Sequence, residues 1–319
     1  MSESRPAKRQ RTDAPLTRSK MWYKDGSVIL QAETTQFRVH WGVLALNSCF
    51  FRELQDLPLA QPNDQPSVEG CPIVELSGDA SADVENLLKA LYTPTFLLQK
   101  ALPFAVVAAL IRLGRKYDFR DLLDTAVERL TFENPTTLEE FDALKTDGQG
   151  RSRLTRILNH PGIFYDMLTL ARENNIQSVL PCAYYRAVEH SKQKSFFDGI
   201  SREDGTQASL APIDQRRCVI GREALGKVQG EDGYPLDWVY SKTRNDCSKP
   251  QCKDVRMHYL RQRTLYLYAL SCPPPQLPSL CPSCHKQYQD SWTAGREKLW
   301  EGLPKCFDLP PWAELTNDP

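Results

Sequence analysis

One block of fifteen residues, Phe37–Phe51, constrains the fold of this chain more than any other segment. Its first part, through His40, is rich in strand formers and is typical of the end of a β-strand. From Val43 onward, apolar residues recur at spacings of three and four, which predicts a short helix that continues to Leu54. A strand that leads directly into a helix indicates a module in which a sheet and helices share one core.

The segments around this block extend the module. Ranges 27–32 and 34–40 predict two strands that form a hairpin. Further elements follow a proline-containing loop at 58–70: a strand at 72–76 and helices at 83–92, from Pro103 to about Gly114, and along 122–130. This order predicts an α+β fold, a small sheet capped by helices, over residues 21–130.

Several separated blocks resemble one known family. They are Asp25, the pattern F-x-V-H-x-x-V-L-A-x-x-S-x-x-F at 37–51, Leu87–Tyr92 and Leu113–Phe119. Together they resemble the BTB/POZ domain over about a third of the chain. Gly114 departs from the pattern, because it stands near a position where alanine is usual. The stretch Trp22–Ala32 resembles a fungal, basidiomycete-type group of BTB proteins in particular.

The resemblance implies a binding protein that works as an adaptor and forms a homodimer. It implies a substrate adaptor on a cullin-type ubiquitin ligase scaffold or, as the alternative, a nuclear transcription-associated regulator that recruits a corepressor. The residues assigned to a protein interface are Asp25, Val28, His40 and Val43. The resemblance also implies that His40 seats the following helix; a general base is the competing interpretation. No metalloprotease, P-loop, nucleophile-elbow or Gly-rich nucleotide motif occurs, which favours a protein that is not an enzyme.

Three further regions complete the expected organisation. Residues 1–20 form a basic tail with almost no apolar content, which predicts disorder. Its segment Pro6–Arg11 is either a nuclear localisation signal or a solvated basic tail, so the expected location is nuclear and/or cytoplasmic. Residues 131–205 predict a helical extension, and 206–319 a mostly helical C-terminal module.

Two details of the extension can be read from local sequence. A capping box is predicted where the helix after Pro135 begins, with Thr136 and Glu139 or with Thr137 and Glu140 as its members. Residues 195–214 are polar and contain glycine, which predicts a linker.

The C-terminal module contains the candidate chemistry. Cys247 and Cys252 form one short pair, and Cys281 and Cys284 form a second pair after a longer span. Two such pairs supply the four thiolates of a closed tetrahedral zinc site, so we expect a structural Zn²⁺ held by zinc knuckles in loops. The apolar residues from Val255 to Leu267 predict a helix that connects the pairs.

Other interpretations of these cysteines remain open. The run Cys281–His285 matches the c-type haem signature C-x-x-C-H, and its first four residues match a thioredoxin-type redox pair. Both are disfavoured, because no export signal is present and a proline-rich loop precedes the pair. His258, His285 and Cys272 are alternative ligands. Packed free thiols are expected at the other positions, Cys49, Cys71, Cys182, Cys218 and Cys306.

Charge and hydropathy limit the partners. Lys plus Arg and Asp plus Glu are 40 each, so no bulk positive field attracts nucleic acid, although Arg256, Arg261 and Arg263 could form a basic face. No apolar run approaches the roughly 20 residues that a membrane span needs. The polar N-terminus carries no secretory signal pattern, which favours reduced thiols and metal binding over disulfides. Nucleic acid and membranes are therefore disfavoured as partners, and the resemblance implies that the partners are other proteins.

Overall fold

The computed structural model describes residues 15–56, 67–93, 95–144, 153–240, 247–263, 270, 277 and 279–317. The chain divides into two compact units. Unit 1 comprises residues 1–99 and 108–125, and unit 2 comprises residues 100–107 and 126–319. Among the described residues, none of the helices combines the length and apolar character needed to cross a membrane.

Unit 1 is built on a five-stranded mixed sheet. Its strands are β1 (Thr17–Trp22), β2 (Val28–Ala32), β3 (Thr35–Val39), β4 (Ser67–Val68) and β5 (Cys71–Glu75). The strand order is β1-β3-β2-β5-β4. The pairs β2–β3 and β4–β5 are antiparallel, whereas β1–β3 and β2–β5 are parallel. The predicted hairpin is therefore confirmed as β2–β3, with Val28 opposite Val39.

The first strand was not expected from the sequence. Residues 17–20, which we predicted as part of a disordered tail, belong to β1, so that prediction is wrong there. The strand pairs with β3, and Arg18 and Arg38 both form ion pairs with Glu69. Residues 1–14, including the candidate nuclear signal, lie outside the described residues.

Helices cover the sheet of unit 1. They are α1 (Trp41–Asn47), α2 (Cys49–Asp56), α3 (Ser81–Tyr92), α4 (Phe104–Lys116) and α5 (Arg120–Glu133). Residues 104–107 of α4 and 126–133 of α5 belong to unit 2. The core of unit 1 contains fully buried apolar residues from strands and helices alike, among them Ile29, Phe37, Val39, Leu44, Val84, Leu88 and Leu110.

The helix predicted from Val43 to Leu54 is two helices. The break falls at Ser48, whose backbone is extended and whose side chain is buried. The Ser48 hydroxyl donates to the carbonyl of Tyr117 at 2.5 Å and accepts from the N–H of Phe51 at 3.0 Å. Ser48 therefore satisfies an otherwise unpaired donor at the start of α2, which is why the chain breaks at this residue.

Unit 2 is mostly helical. Its helices are α6 (Leu138–Ala143), α7 (Ile163–Glu173), α8 (Leu180–Glu189), α9 (Ser195–Asp198), α10 (Pro212–Val228), α11 (Asp237–Tyr240), α12 (Pro250–Arg263), α13 (Pro282–Glu301) and α14 (Leu303–Cys306). Two single 3₁₀ turns lie at Gln177–Val179 and Trp312–Glu314. Strands β6 (Ile200–Ser201) and β7 (Gln207–Ala208) form a short antiparallel hairpin.

Of the two local predictions for residues 131–214, the helix cap is confirmed and the linker is wrong. One of the two predicted caps is confirmed: the Thr137 side chain accepts from the N–H of Glu140 at 3.2 Å and begins α6. The predicted linker at 195–214 is wrong, because it contains α9, the β6–β7 hairpin and the start of α10. Asp214 in α10 is fully buried and accepts hydrogen bonds from Tyr184 and Arg172.

Candidate metal centre

Two helix starts bring four cysteines of unit 2 together. Cys247 precedes α12, and Cys252 lies in the first turn of that helix. Cys281 is the N-cap residue of α13, and Cys284 lies in its first turn. Pro250 and Pro282 occupy the first positions of the two helices, where the missing N–H has no cost and the fixed φ favours helix entry.

The four side chains converge on one point. Their Sγ atoms all lie within 4.8 Å of one another, and those of Cys247 and Cys281 are 3.9 Å apart. In a tetrahedral zinc site with Zn–S bonds of about 2.3 Å, neighbouring sulfurs are separated by about 3.8 Å. The arrangement therefore has the size of a four-thiolate metal site.

Backbone N–H groups contact two of the sulfurs and oppose the effect of burial on their pKa values. The N–H of Cys281 points to the Sγ of Cys252 at 3.4 Å. A hydrogen bond from the backbone N–H of Cys284 lowers the pKa of Cys281 to about 7, whereas burial raises the pKa of Cys284. Burial thus opposes the deprotonation of thiols that a metal site needs. A bound cation would overcome this opposition, because it would stabilise all four deprotonated sulfurs together.

An apolar shell surrounds the sulfurs. The buried residues packed in one cluster with the cysteines are Leu236, Trp238, Val239, Leu277, Tyr288 and Trp292. Cys252, Cys281 and Cys284 are buried, and Cys247 is half-buried. Sulfur ligands shielded from water in this way are typical of structural metal sites.

Arg256, which the sequence placed on a possible basic face, lies instead in this shell. Arg256 is buried, donates to the carbonyl of Val239 at 3.0 Å, and stacks over Trp238 with its guanidinium carbon 5.0 Å from the ring centre. Burial lowers the pKa of Arg256, and the interaction with Cys284 opposes that shift. The signal was available in the sequence, because Arg256 follows Cys252 by four residues on one helix and therefore shares its face.

The local setting of the cysteines differs from the expectation. Both pairs were predicted in loops, which is wrong for Cys252 and Cys284 because both lie in helices. Helix α12 extends to Arg263, and residues 264–267 of the predicted connecting helix lie outside the described residues. His258 and His285 are exposed and do not join the cluster, and Cys272 lies outside the described residues.

The convergence also bears on the redox and haem interpretations. Cys281 caps a helix, which is a position that thioredoxin-type cysteines share. Here, however, two more sulfurs of unit 2 lie within 4.8 Å of the pair. A set of four thiolates without an open ligand position is suited to holding a metal rather than to exchanging disulfides or catalysing a reaction at the metal.

The remaining described cysteines are free thiols. Cys71, Cys182, Cys218 and Cys306 are buried, as expected for packed thiols, and Cys49 is half-buried. Burial raises the pKa of Cys182 to about 12 and the pKa of Cys218 to about 12. Such thiols stay protonated near neutral pH and are inert in packing positions.

The predicted interface residues lie near the start of α1 in unit 1. The Nε2 atom of His40 is 3.3 Å from Asp25, whose side chain is 84% exposed. The N–H of His40 donates to the hydroxyl of Tyr92 at 2.9 Å, and its Nδ1 is 3.1 Å from the same oxygen. These contacts support a structural role for His40, since it ties the start of α1 to the end of α3.

The other two predicted interface residues differ in exposure. Val43 is partly buried in α1, and Val28 is fully buried in β2. The assignment of these four residues to a protein interface stays a prediction. Sequence reasoning did not identify Leu46 and Phe50, large apolar side chains of α1 and α2 that are exposed.

Comparison with known families assigns a class to the first part of the chain. Residues 23–133 match the family model described as BTB/POZ domain. None of the curated proteins searched matches the chain. The small sheet and its helices agree with this match, so the chain carries a BTB/POZ domain, a protein–protein interaction module, at residues 23–133.

Proposed function

We propose that this protein is an adaptor that joins two other proteins, with the BTB/POZ domain bound to a cullin-type ubiquitin ligase scaffold and unit 2 holding the substrate. The observation that carries the proposal is the combination of a protein-interaction domain at residues 23–133 with a second compact unit that contains a closed four-cysteine cluster. Such a cluster stabilises a fold and leaves the surface of unit 2 available for binding.

Zinc is the metal that we assign to the cluster. Four thiolates in a tetrahedral arrangement favour Zn²⁺ or an iron–sulfur centre, and zinc suits a single closed site that is joined to two helix starts. The ion would connect the residues before α12 with the start of α13. It would thereby supply folding free energy to a part of unit 2 with a small apolar core.

The scaffold surface is proposed on the exposed apolar side chains of α1 and α2. Leu46 is 78% exposed, and Phe50 lies on the following helix. Neighbouring exposed apolar residues of this kind mark protein-binding surfaces. Asp25 before β2, together with His40 and Val43 at the start of α1, is proposed to flank the contact.

The test is direct binding of the purified full chain to a purified cullin N-terminal region by isothermal titration calorimetry. We expect a stoichiometric complex that Leu46→Glu weakens at least tenfold. Leu98→Glu is the matched control, because Leu98 is 80% exposed in the same unit. Absence of binding would refute the ligase adaptor and favour the nuclear regulator, whose corepressor would then bind the same domain.

Self-association as a homodimer belongs to the same proposal. BTB/POZ domains often dimerise, and β1 and β4 are the edge strands of the sheet of unit 1. An edge strand has unpaired backbone groups that a second copy can pair. Sedimentation velocity should give the mass of two chains, and a single 36.4 kDa species across the concentration range would refute the dimer.

Nuclear as well as cytoplasmic location is proposed from the basic segment Pro6–Arg11. A fluorescent protein fused to residues 1–20 should accumulate in the nucleus. Replacement of Lys8, Arg9 and Arg11 by Ala should abolish the accumulation. An equal distribution of both fusions would show that the segment is only a solvated tail.

A further inference from the structure

Unit 2 contains a groove that is separate from the cysteine cluster. Three segments form its walls: the start of α4 at 103–105, residues 158–161 before α7, and the loop 202–206 between β6 and β7. Asp166 of α7 also lines it. The groove encloses about 870 Å³, which is within the range of protein binding sites.

Defined contacts hold the walls in place. Residue Leu102 pairs with Ile157 as a parallel bridge, and the N–H of Leu158 donates to the carbonyl of Leu102 at 2.9 Å. On the other side, Gly162 at φ +85° allows the close approach of β7, since a Cβ there would lie 2.3 Å from the Cβ of Ala208. The groove is therefore a built feature of unit 2.

The positive and negative side chains of the groove differ in whether they are ion-paired. Arg202 donates to Asp166 at 2.5 Å and to Thr206 at 3.0 Å, and His160 lies 3.7 Å from Asp166 on its other side. The positive charge of Arg202 is therefore matched by Asp166 within the groove.

Two further carboxylates remain at the tip of the hairpin. Asp204 accepts from the neutral N–H and hydroxyl of Thr206, at 2.9 and 2.6 Å, and forms no ion pair with any described residue. Glu203 is exposed and forms no ion pair with any described residue. The hairpin side of the groove thus presents two carboxylates that form no ion pair within the described residues.

The opposite side is apolar. Leu158 is 49% exposed at the groove, and Pro103, Phe104 and Pro161 line the same region. A groove with an exposed leucine on one side and two carboxylates on the other is complementary to a segment in which Lys or Arg neighbours an apolar residue. The same carboxylates repel nucleic acid and other anions.

We propose that this groove binds a basic, apolar-containing segment of a partner protein. The inference deepens the proposed function and rests on it, because it locates substrate holding in unit 2. The apolar side chain of the partner packs on Leu158 and Phe104, and its Lys or Arg faces Glu203 and Asp204.

The test uses a random dodecapeptide phage library selected on the full chain. Clones that also bind the double variant Leu158→Ser/Glu203→Lys are removed. We expect the remaining clones to share one or two Lys or Arg residues next to an apolar residue. Enrichment of acidic or uncharged peptides would overturn the proposal, as would a failure to enrich any clone that distinguishes the two proteins.

Single variants then locate the contact with a synthetic copy of the most enriched peptide. Glu203→Lys and Leu158→Ser should each weaken its binding at least fivefold, and Asp204→Asn should do so while keeping the acceptor for Thr206. The control is Glu301→Lys, an equal charge change at an exposed residue of α13 that does not line the groove. Equal losses in the control would show a nonspecific charge effect and overturn the proposal.

Two readouts separate this inference from the proposed function. Unchanged thermal unfolding shows that the variants fold, and unchanged binding to the cullin region shows that the BTB/POZ domain is intact. A chain that binds the cullin region but selects no basic, apolar-containing peptide would overturn only this inference. A groove that binds the peptide in a chain that binds no scaffold would instead refute the ligase adaptor.

Discussion

The Sγ atoms of Cys247 and Cys281 lie 3.9 Å apart although the two residues are 34 positions apart in the chain. This separation is close to the edge of a tetrahedron of zinc-bound sulfurs, about 3.8 Å. A metal ion at this point would join the segment before α12 to the start of α13. Loss of this ion would therefore destabilise the packing of α12 and α13 in unit 2, and its effect would not be confined to one loop.

The cysteine cluster gives the first prediction. Cys252→Ser should abolish stoichiometric metal binding and lower the free energy of unfolding by about 3 kcal/mol or more, because a buried site loses both a ligand and its ion. Metal content and urea unfolding of the same preparation measure both effects. Cys49→Ser, at a free thiol outside the cluster, is the control and should retain the metal.

A pair of glycines in α10 gives the second prediction. A Cβ at Gly221 would lie 2.1 Å from the ring of Phe307, so Gly221→Ala should destabilise the protein by about 1–3 kcal/mol through overpacking. Nothing lies within 4 Å of a Cβ at Gly226 on the same helix. Gly226→Ala should be neutral or stabilise by up to about 1 kcal/mol. Thermal unfolding compares the two, and equal losses would contradict the close contact with Phe307.

The third prediction concerns a buried arginine of α13. Arg296 binds the carboxylate of Asp142, with Nη1 at 3.0 Å, and donates to the carbonyl of Leu270 at 2.9 and 3.2 Å. Arg296→Met leaves these acceptors without their donor and should cost about 3 kcal/mol in urea unfolding.

Its control is an exposed ion pair of the same unit. Arg216 is 61% exposed and pairs with Asp308, so Arg216→Met should change the free energy of unfolding by less than about 1 kcal/mol. If the two variants unfolded alike, the interactions of Arg296 would contribute no more than a surface pair.

The fourth prediction is a loss of stability in alkali. Burial raises the pKa of Cys182 from 9.0 to about 12 in the folded chain. Between these values the unfolded chain releases the proton and the folded chain keeps it, so the free energy of unfolding falls as the pH rises from about 9 to about 12. Below about pH 9 the contribution is fully present.

Urea unfolding at about pH 8 and about pH 10 measures this dependence. Cys182→Ala should reduce the fall relative to the unmodified chain, because the titrating group is gone. An unaltered pH dependence in Cys182→Ala would assign the alkaline loss to other groups.

Local patterns were sufficient for part of the fold. The hairpin of β2 and β3 followed from two neighbouring segments rich in strand formers, and the cap at Thr137 followed from its spacing to Glu140. Convergence of the four cysteines followed from their pair spacing, because a closed site needs two short pairs. In each case the interaction that fixes the structure lies close to the signal in the sequence.

Other features depend on distant partners. Strand β1 has no apolar alternation and forms through pairing with β3 and the ion pairs of Glu69. Ser48 caps the nearby N–H of Phe51, but its hydroxyl is also held by the carbonyl of Tyr117, 69 positions away. Strands of two residues, such as β6 and β7, carry no periodicity of their own. Sequence periodicity cannot report such contacts, which explains why these features were missed.

The most direct test of the central claim is the metal content of the full chain, purified without added metal and with its thiols reduced. Inductively coupled plasma mass spectrometry should find one zinc ion per chain, and chelation should release it together with loss of cooperative unfolding of unit 2. A folded, reduced chain that contains no zinc, and whose unfolding is unchanged by a chelator, would contradict the account.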